Sequence, residues 1–207
     1  KDLVGKRVIL DSASQEAPFL DMFLKNGGIT RSQFEAIQIS GMAKISSYAS
    51  GQGDALLTNA PVIEPLVEGT RPSNTIGFKD YGLGVLPSIG YFATDKTIAS
   101  KAKALGVFVR CVAQAQNDIA GKGKVDEAVD AIIKNRPQIK LDPVKLTASL
   151  KSLVPYMSAN KSRGKPYGWM YPEDWTAALK LMSDLKLMDS SHKPEEFYTN
   201  QFLMASQ

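Results

Sequence analysis

The sequence predicts an α/β chain, a parallel-rich sheet unit followed by a mainly helical C-terminal part. Three observations predict it. Up to about residue 80, short apolar runs of strand length alternate with helical spacings. Beyond Asp95 the apolar residues recur almost entirely at helical spacing. The 207 residues, 43% hydrophobic and 22% charged, suffice for a buried core without a disulfide or metal staple.

Taken in order, Arg7–Asp11 reads as a strand with the apolar run Val8-Ile9-Leu10 and an acidic end. The polar turn Ser12-Ala13-Ser14-Gln15-Glu16 follows, with Ser12 or Ser14 as the N-cap of a helix carrying Phe19, Leu20, Phe23 and Leu24. Asn26-Gly27-Gly28 ends that helix through a left-handed glycine. Phe34–Ser40 predicts a second strand, Met42–Ser50 a short helix stopped by Gly51, and Asp54–Thr58 a third strand. Pro61–Glu68 predicts a helix with proline in its first turn. Asn74–Phe78 predicts a fourth strand. Strands separated by helices imply parallel pairing with helices on both faces. Val85–Thr94, with Pro87 and Gly90, reads as a bent or edge strand. Ile98, Leu105, Val109 and Val112 share one face of a long helix running through Ile119. Gly121-Lys122-Gly123 breaks it, and further helices are predicted from Val125, Asp142-Pro143 and Pro172, with a polar loop over Tyr156–Tyr167.

Charge and motif content exclude several function classes. The net charge is +4, unevenly spread: residues 1–94 hold 8 basic and 9 acidic side chains, residues 95–207 hold 17 and 12. A basic surplus on helices is ordinarily a solvated face. A nucleic-acid groove would cluster arginine with aromatics, whereas Arg7, Arg31, Arg71, Arg110, Arg136 and Arg163 are scattered. No apolar run approaches the roughly 20 residues of a membrane span. One cysteine and one histidine cannot build a zinc cluster. His192 sits in a Ser-Ser-His-Lys-Pro loop and reads as exposed and inert, and Cys111 reads as a buried thiol inside the long helix. Glu173-Asp174 follow Pro172 and suit a helix N-terminus better than acid–base work. No phosphate-loop, dinucleotide or nucleophile-elbow motif occurs. The chain therefore reads as a binder without catalytic residues, metal or cofactor.

In open α/β sheets, ligands bind beyond the carboxyl ends of the strands. Those ends are predicted at Ser12–Gln15, Ser40-Gly41, Asn59-Ala60 and Asp80–Gly82. Ser12 and Ser14 offer hydroxyls beside a helix N-terminus, a combination suited to a phosphate, sulfonate or carboxylate. The plainer reading is that they only cap the helix. Asn59 exposes an amide at a strand end, and Glu64 follows Ala60 by one helical turn. A carboxylate there selects an amine or a ring N–H, unless it simply faces solvent.

Four segments resemble one family in order along the chain. Asp2-Leu3-Val4-Gly5-Lys6-Arg7-Val8 with its serine-rich turn resembles the second lobe of ABC-transporter solute-binding proteins. Ser50-Gly51-Gln52-Gly53-Asp54-Ala55, followed by Glu64-Pro65, resembles a segment of the same proteins. So do Tyr167-Gly168-Trp169-Met170-Tyr171-Pro172-Glu173-Asp174-Trp175 and the tail Glu196-Phe197-Tyr198-Thr199-Asn200-Gln201-Phe202-Leu203. Together they resemble the NMT1/THI5-like group, which includes binders of sulfonates, nitrate, pyrimidine precursors and riboflavin.

The resemblance implies a type II periplasmic-binding (Venus flytrap) fold. Residues 1–85 would be lobe two, 86–94 a crossover or hinge, and 95–207 a helical part packing back on the lobes, with the first part of lobe one outside this chain. It implies a ligand site from Ser12, Ala13, Ser14 and Gln15, with Asn59, Ala60 and Glu64 after the third strand and Ser88 and Tyr91 in the crossover. Pyrimidine-binding members carry a stacking aromatic where this chain has Ala60. The implied partners are a small solute (a sulfonate, another small anion or a pyrimidine-like heterocycle) and a membrane ABC permease. Nucleic acid is not among them, and the protein is expected to be a monomer. The implied location is periplasmic or extracytoplasmic, lipid-anchored in a Gram-positive source. Pyrimidine-synthase enzymes of the same fold use histidine and a cysteine-rich segment, which His192 and Cys111 do not supply. An effector-binding module of a transcription regulator is a further reading, which the C-terminal helices fit poorly.

Overall fold

The computed structural model describes residues 1–84, 89–158 and 164–204, with residues 60–62 and 158 described by backbone only. The chain divides into two compact units, Lys1–Val85 with Leu181–Met188, and Leu86–Lys180 with Asp189–Gln207.

The first unit is built on strands β1 (Arg7–Leu10), β2 (Glu35–Gln38) and β3 (Ala55–Leu56), all parallel, in the order β2-β1-β3. Arg7 pairs with Glu35 and Leu10 with Gln38; on the other side Val8 pairs with Ala55 and Ile9 with Leu56. Helix α1 (Leu20–Asn26) joins β1 to β2, α2 (Ala43–Ala49) joins β2 to β3, and α3 (Ala60–Val67) follows β3. Parallel strands need such crossovers. Because a strand's side chains alternate, each face receives its own core. Val8 and Leu10 pack with Leu20, Phe23 and Leu24 of α1, joined by Ala55 and Leu57. The intervening Leu56 packs instead with Ile45, Ile63 and Val67 of α2 and α3. Ile9, Leu10 and Leu24 are fully buried, each contributing about 1.5–3 kcal/mol by burial. Leu181 packs on the α1 side.

The Ser-Gly-Gln-Gly-Asp-Ala segment is structural. Gly51 takes φ +85° just after α2, a conformation that costs glycine little. Gly53 is buried against β1. Asp54 accepts from the Arg7 backbone N–H at 2.9 Å and its guanidinium at 3.0 and 3.3 Å. That hydrogen bonding holds the Asp54 carboxyl down at about 2.

The second unit is helical among its described residues: α4 (Asp95–Ser100), α5 (Ala102–Gln116), α6 (Val125–Asn135), α7 (Pro143–Ser158) and most of α8 (Pro172–Asp184). A π-helical turn, Asn117–Gly121, leads out of α5. Asn200 joins the tail to the segment before α8. Its side-chain Oδ1 accepts from the Met170 N–H at 2.9 Å, and its side-chain Nδ2 donates to the Met170 backbone carbonyl at 2.7 Å. Trp175 stacks on Phe197 and Tyr198, with centroids 6.2 and 5.6 Å away.

Five expectations are corrected. Asn74–Phe78 forms no strand: Ile76 is exposed, and the Gly77 N–H donates to Asp80 at 3.1 Å in a 3-10 turn over Phe78–Tyr81. Neither Ser12 nor Ser14 caps α1, because a 3-10 turn at Ala17–Phe19, containing Pro18, intervenes and Phe19 is the cap residue. The predicted long helix breaks at Lys101, and Thr94 caps α4 by accepting from the Thr97 N–H. Cys111 is exposed, on the same side of α5 as exposed Val107 and Phe108. Residues 89–94 carry no strand, while 85–88 lie outside the described residues.

Candidate functional site

The chain leaves β1, turns through α1 to β2 on one side, then crosses back through α2 to β3 on the other. The strand order thus reverses between β1 and β3. A crevice outside the carboxyl ends is favoured at such a switch point. Here it is flanked by residues 11–14 after β1 and 57–59 after β3.

Asp11 organises this edge. It is the one charged residue in the buried set among the described residues, with 8% exposure. Its Oδ1 accepts from the Ala13 N–H at 3.0 Å and from the Ser40 hydroxyl at 3.4 Å. Its Oδ2 accepts from the Gly41 N–H at 3.0 Å. The N–H groups of Gly41 and Ala13 hold its carboxyl below the usual range, with a smaller contribution from the Lys44 charge. A buried carboxylate is tolerable when so bonded. Asp11 therefore stays ionised and ties the β1 loop to the β2 loop. Lys44 Nζ donates to the Leu57 carbonyl at 3.3 Å, adding the end of β3 to the same edge.

The expected residues fall around this knot unevenly. The Ser12 hydroxyl donates to Gln38 Oε1 at 2.9 Å. The N–H groups of Ala13 and Ser14 are engaged by Asp11, through its carboxylate and its carbonyl at 3.0 Å each. The Ser14 hydroxyl oxygen is buried without a hydrogen-bond partner, although the residue is only half-buried. Leaving such a group unmet costs about 1–3 kcal/mol. Gln15 is exposed. Asn59 precedes α3 and its side chain does not cap it; Ala60 is the first residue of α3 and Glu64 is half-buried on that helix. Asp80–Gly82 is not a strand end. Tyr91 belongs to the second unit, exposed and edge-to-face on Phe108 at 4.9 Å. Ser88 lies outside the described residues.

Sequence reasoning missed Asp11, Gln38 and Lys44 and set Ser40-Gly41 aside. The available signal was an acidic residue closing an apolar strand and a serine–glycine pair closing the next; that the two meet is set by the pairing of β1 with β2. Among the described residues, no group of three or more His, Cys, Asp and Glu is placed to hold a metal ion, and no helix is long and apolar enough to cross a membrane.

A parallel sheet with a bonded acidic knot at its switch point belongs to the open α/β class that binds ligands at that edge. The sequence profile of the NMT1/THI5-like family matches residues 1–123, more than half of the chain, and the chain belongs to that family. The family implies the type II periplasmic-binding fold, is mainly one of solute binders, and includes extracytoplasmic solute-binding proteins of ABC transporters. No individual curated protein matches the chain.

Proposed function

We propose that this chain is part of the solute-binding component of an ABC importer, capturing a small organic solute for delivery to a membrane permease. In this reading residues 1–85 form lobe two of a Venus flytrap, 86–94 a hinge, and 95–207 the part that packs back on the lobes. The orphaned Ser14 hydroxyl at the β1/β3 switch point carries the reading, since a ligand oxygen there would relieve an unmet donor. Asn59 and Glu64 supply the N–H-seeking side of the site, while Ser12, Ala13 and Gln15 shape its rim and Ala60 adjoins them. Ser88 and Tyr91, in the crossover, complete the proposed ligand-lining set. Binding proceeds without chemistry, by stabilising the closed state through differential affinity. The working location is extracytoplasmic and the working state a monomer.

The test is a thermal-shift series with ethanesulfonate, nitrate, an aminopyrimidine and riboflavin. A ligand at 100 times its Kd stabilises by about 2.7 kcal/mol. Ser14→Ala is expected to weaken an anionic ligand about 3- to 10-fold, the value of one hydrogen bond. Glu64→Gln is expected to weaken an aminopyrimidine and leave an anion unchanged. A ligand that binds equally to both variants overturns the site, and stability unmoved by all four compounds overturns the proposed solute classes.

A further inference from the structure

The helical unit holds a second site of different character. An open cavity of about 470 Å³ lies between one face of α5 and the C-terminal tail. Ligand pockets typically measure about 300–1,000 Å³. Lys103, Gly106 and Arg110 line one wall, and Gln201, Phe202 and Met204 line the other. The helical residues are three and four apart, so they share a face.

Gly106 explains how the cavity acquires its charge. It is buried in the helix interior, where glycine weakens a helix relative to alanine. A Cβ at this position would stand 3.0 Å from an Arg110 guanidinium nitrogen. The missing side chain therefore lets the guanidinium fold back over the helix at Gly106. Among the described residues, neither Lys103 nor Arg110 has a carboxylate within ion-pair distance. Two cations without carboxylate partners, an amide and the apolar side chains of Phe202 and Met204 line one space. A neutral ligand would leave the charges unused, and a small inorganic ion would leave the apolar wall unused.

We infer that this cavity binds a small amphiphilic carboxylate, its anionic head on Arg110 and Lys103 and its apolar body on Phe202 and Met204. Nothing in this inference depends on the solute site of the first unit.

The experiment is calorimetric titration of the whole chain with 2-naphthoate and its uncharged isostere 2-naphthamide. The expected result is saturable one-to-one binding of the carboxylate, at least about tenfold tighter than the amide, and weakened about tenfold by Arg110→Gln. Lys103→Gln is expected to weaken it less, and added salt to weaken it further. Because Arg110 is exposed, its variant is expected to keep the wild-type circular dichroism and melting temperature. Ser14→Ala is expected to leave the titration unchanged. Absence of saturable carboxylate binding overturns the inference. So does equal binding of the amide, indifference to Arg110→Gln, or loss of binding in Ser14→Ala.

Discussion

Gly53→Ala is expected to destabilise the first unit through one steric conflict. The loop entering β3 is drawn onto β1 by the Asp54 N–H, which donates to the Arg7 carbonyl at 2.7 Å, and by the Arg7–Asp54 ion pair at 3.0 Å. At that approach an added Cβ would lie 2.6 Å from Ile9 Cγ1 and 2.9 Å from its Cδ1. Ile9 has no exposed surface and cannot swing aside. Cγ1 is bonded directly to Cβ and does not move when the terminal Cδ1 rotates, so a terminal rotation does not relieve the conflict. Forcing a methyl into a packed core costs about 1–3 kcal/mol. For a chain of about 150–250 residues each kcal/mol shifts Tm by roughly 2–4 °C, so a loss of about 2–12 °C is expected. Both tryptophans lie in the other unit, so far-UV circular dichroism and hydrogen exchange of the β1 amides are the suitable probes. The decisive test is a double-mutant cycle with Ile9→Ala. Ile9→Ala alone costs about 2–5 kcal/mol through the cavity it leaves. With the clash removed and part of the cavity refilled, the double variant is expected to fall short of the summed costs by about 0.5–3 kcal/mol. Additive costs, or a wild-type melting curve for Gly53→Ala, would refute the reasoning.

Three further outcomes are expected. The Asp54 carboxyl, at about 2 in the folded chain, lies below its ordinary value of about 3.9. Its stabilisation is therefore present above pH 4 and lost as pH falls from about 4 to about 2. Asp54→Asn is expected to flatten that part of the acid-unfolding curve, and an unchanged acid limb would count against the pair. His192 Nδ1 lies 2.9 Å from a Glu196 carboxylate oxygen, which raises the imidazole above its ordinary value. As the sole histidine it gives one imidazole titration by NMR. Glu196→Gln is expected to return the midpoint towards about 6.5, and a midpoint that does not move refutes the contact. Asn200→Ala removes both bonds to Met170 and is expected to cost about 1–3 kcal/mol. Denaturation followed by tryptophan fluorescence reads this locally, because Trp169 adjoins Met170 and Trp175 stacks on the same tail.

The order of elements in the first unit was legible because its apolar residues obey two distinct periods. Leu10 and Leu24 sit where those periods place them, in one buried core. The missing fourth strand was not legible, since Thr75-Ile76-Gly77 has strand-like composition but its backbone donor at Gly77 is taken by Asp80. The side-chain bond from Ser100 to the Lys96 carbonyl at 2.6 Å accompanies the break at Lys101. Such local bonds compete with helix continuation and leave no mark on periodicity. Cys111 was misplaced because α5 is apolar on two sides, Leu105, Val109 and Val112 on one and Val107, Phe108 and Cys111 on the other. Spacing identifies a face without saying which is inside. Within the candidate site, the serine turn and Asn59 were legible as strand ends. The role of Asp11 depends on β2 lying beside β1, which no local pattern encodes.

The wide turn after α5 acts as a frame shift written into backbone geometry. The Lys122 N–H donates to the Asn117 carbonyl at 3.0 Å, five residues back rather than four. One residue is therefore looped into the spiral without interrupting its bonding. At 3.6 residues per turn, that residue turns the exit of the helix by about 100° relative to an α-helical exit. A deletion within Asn117–Gly121 would thus restore an ordinary helix locally while re-aiming α5 against α6. Chain length at this point sets the direction in which the chain leaves α5, so an insertion or deletion here would disturb the packing of α5 and α6 within the second unit more than most changes of side chain.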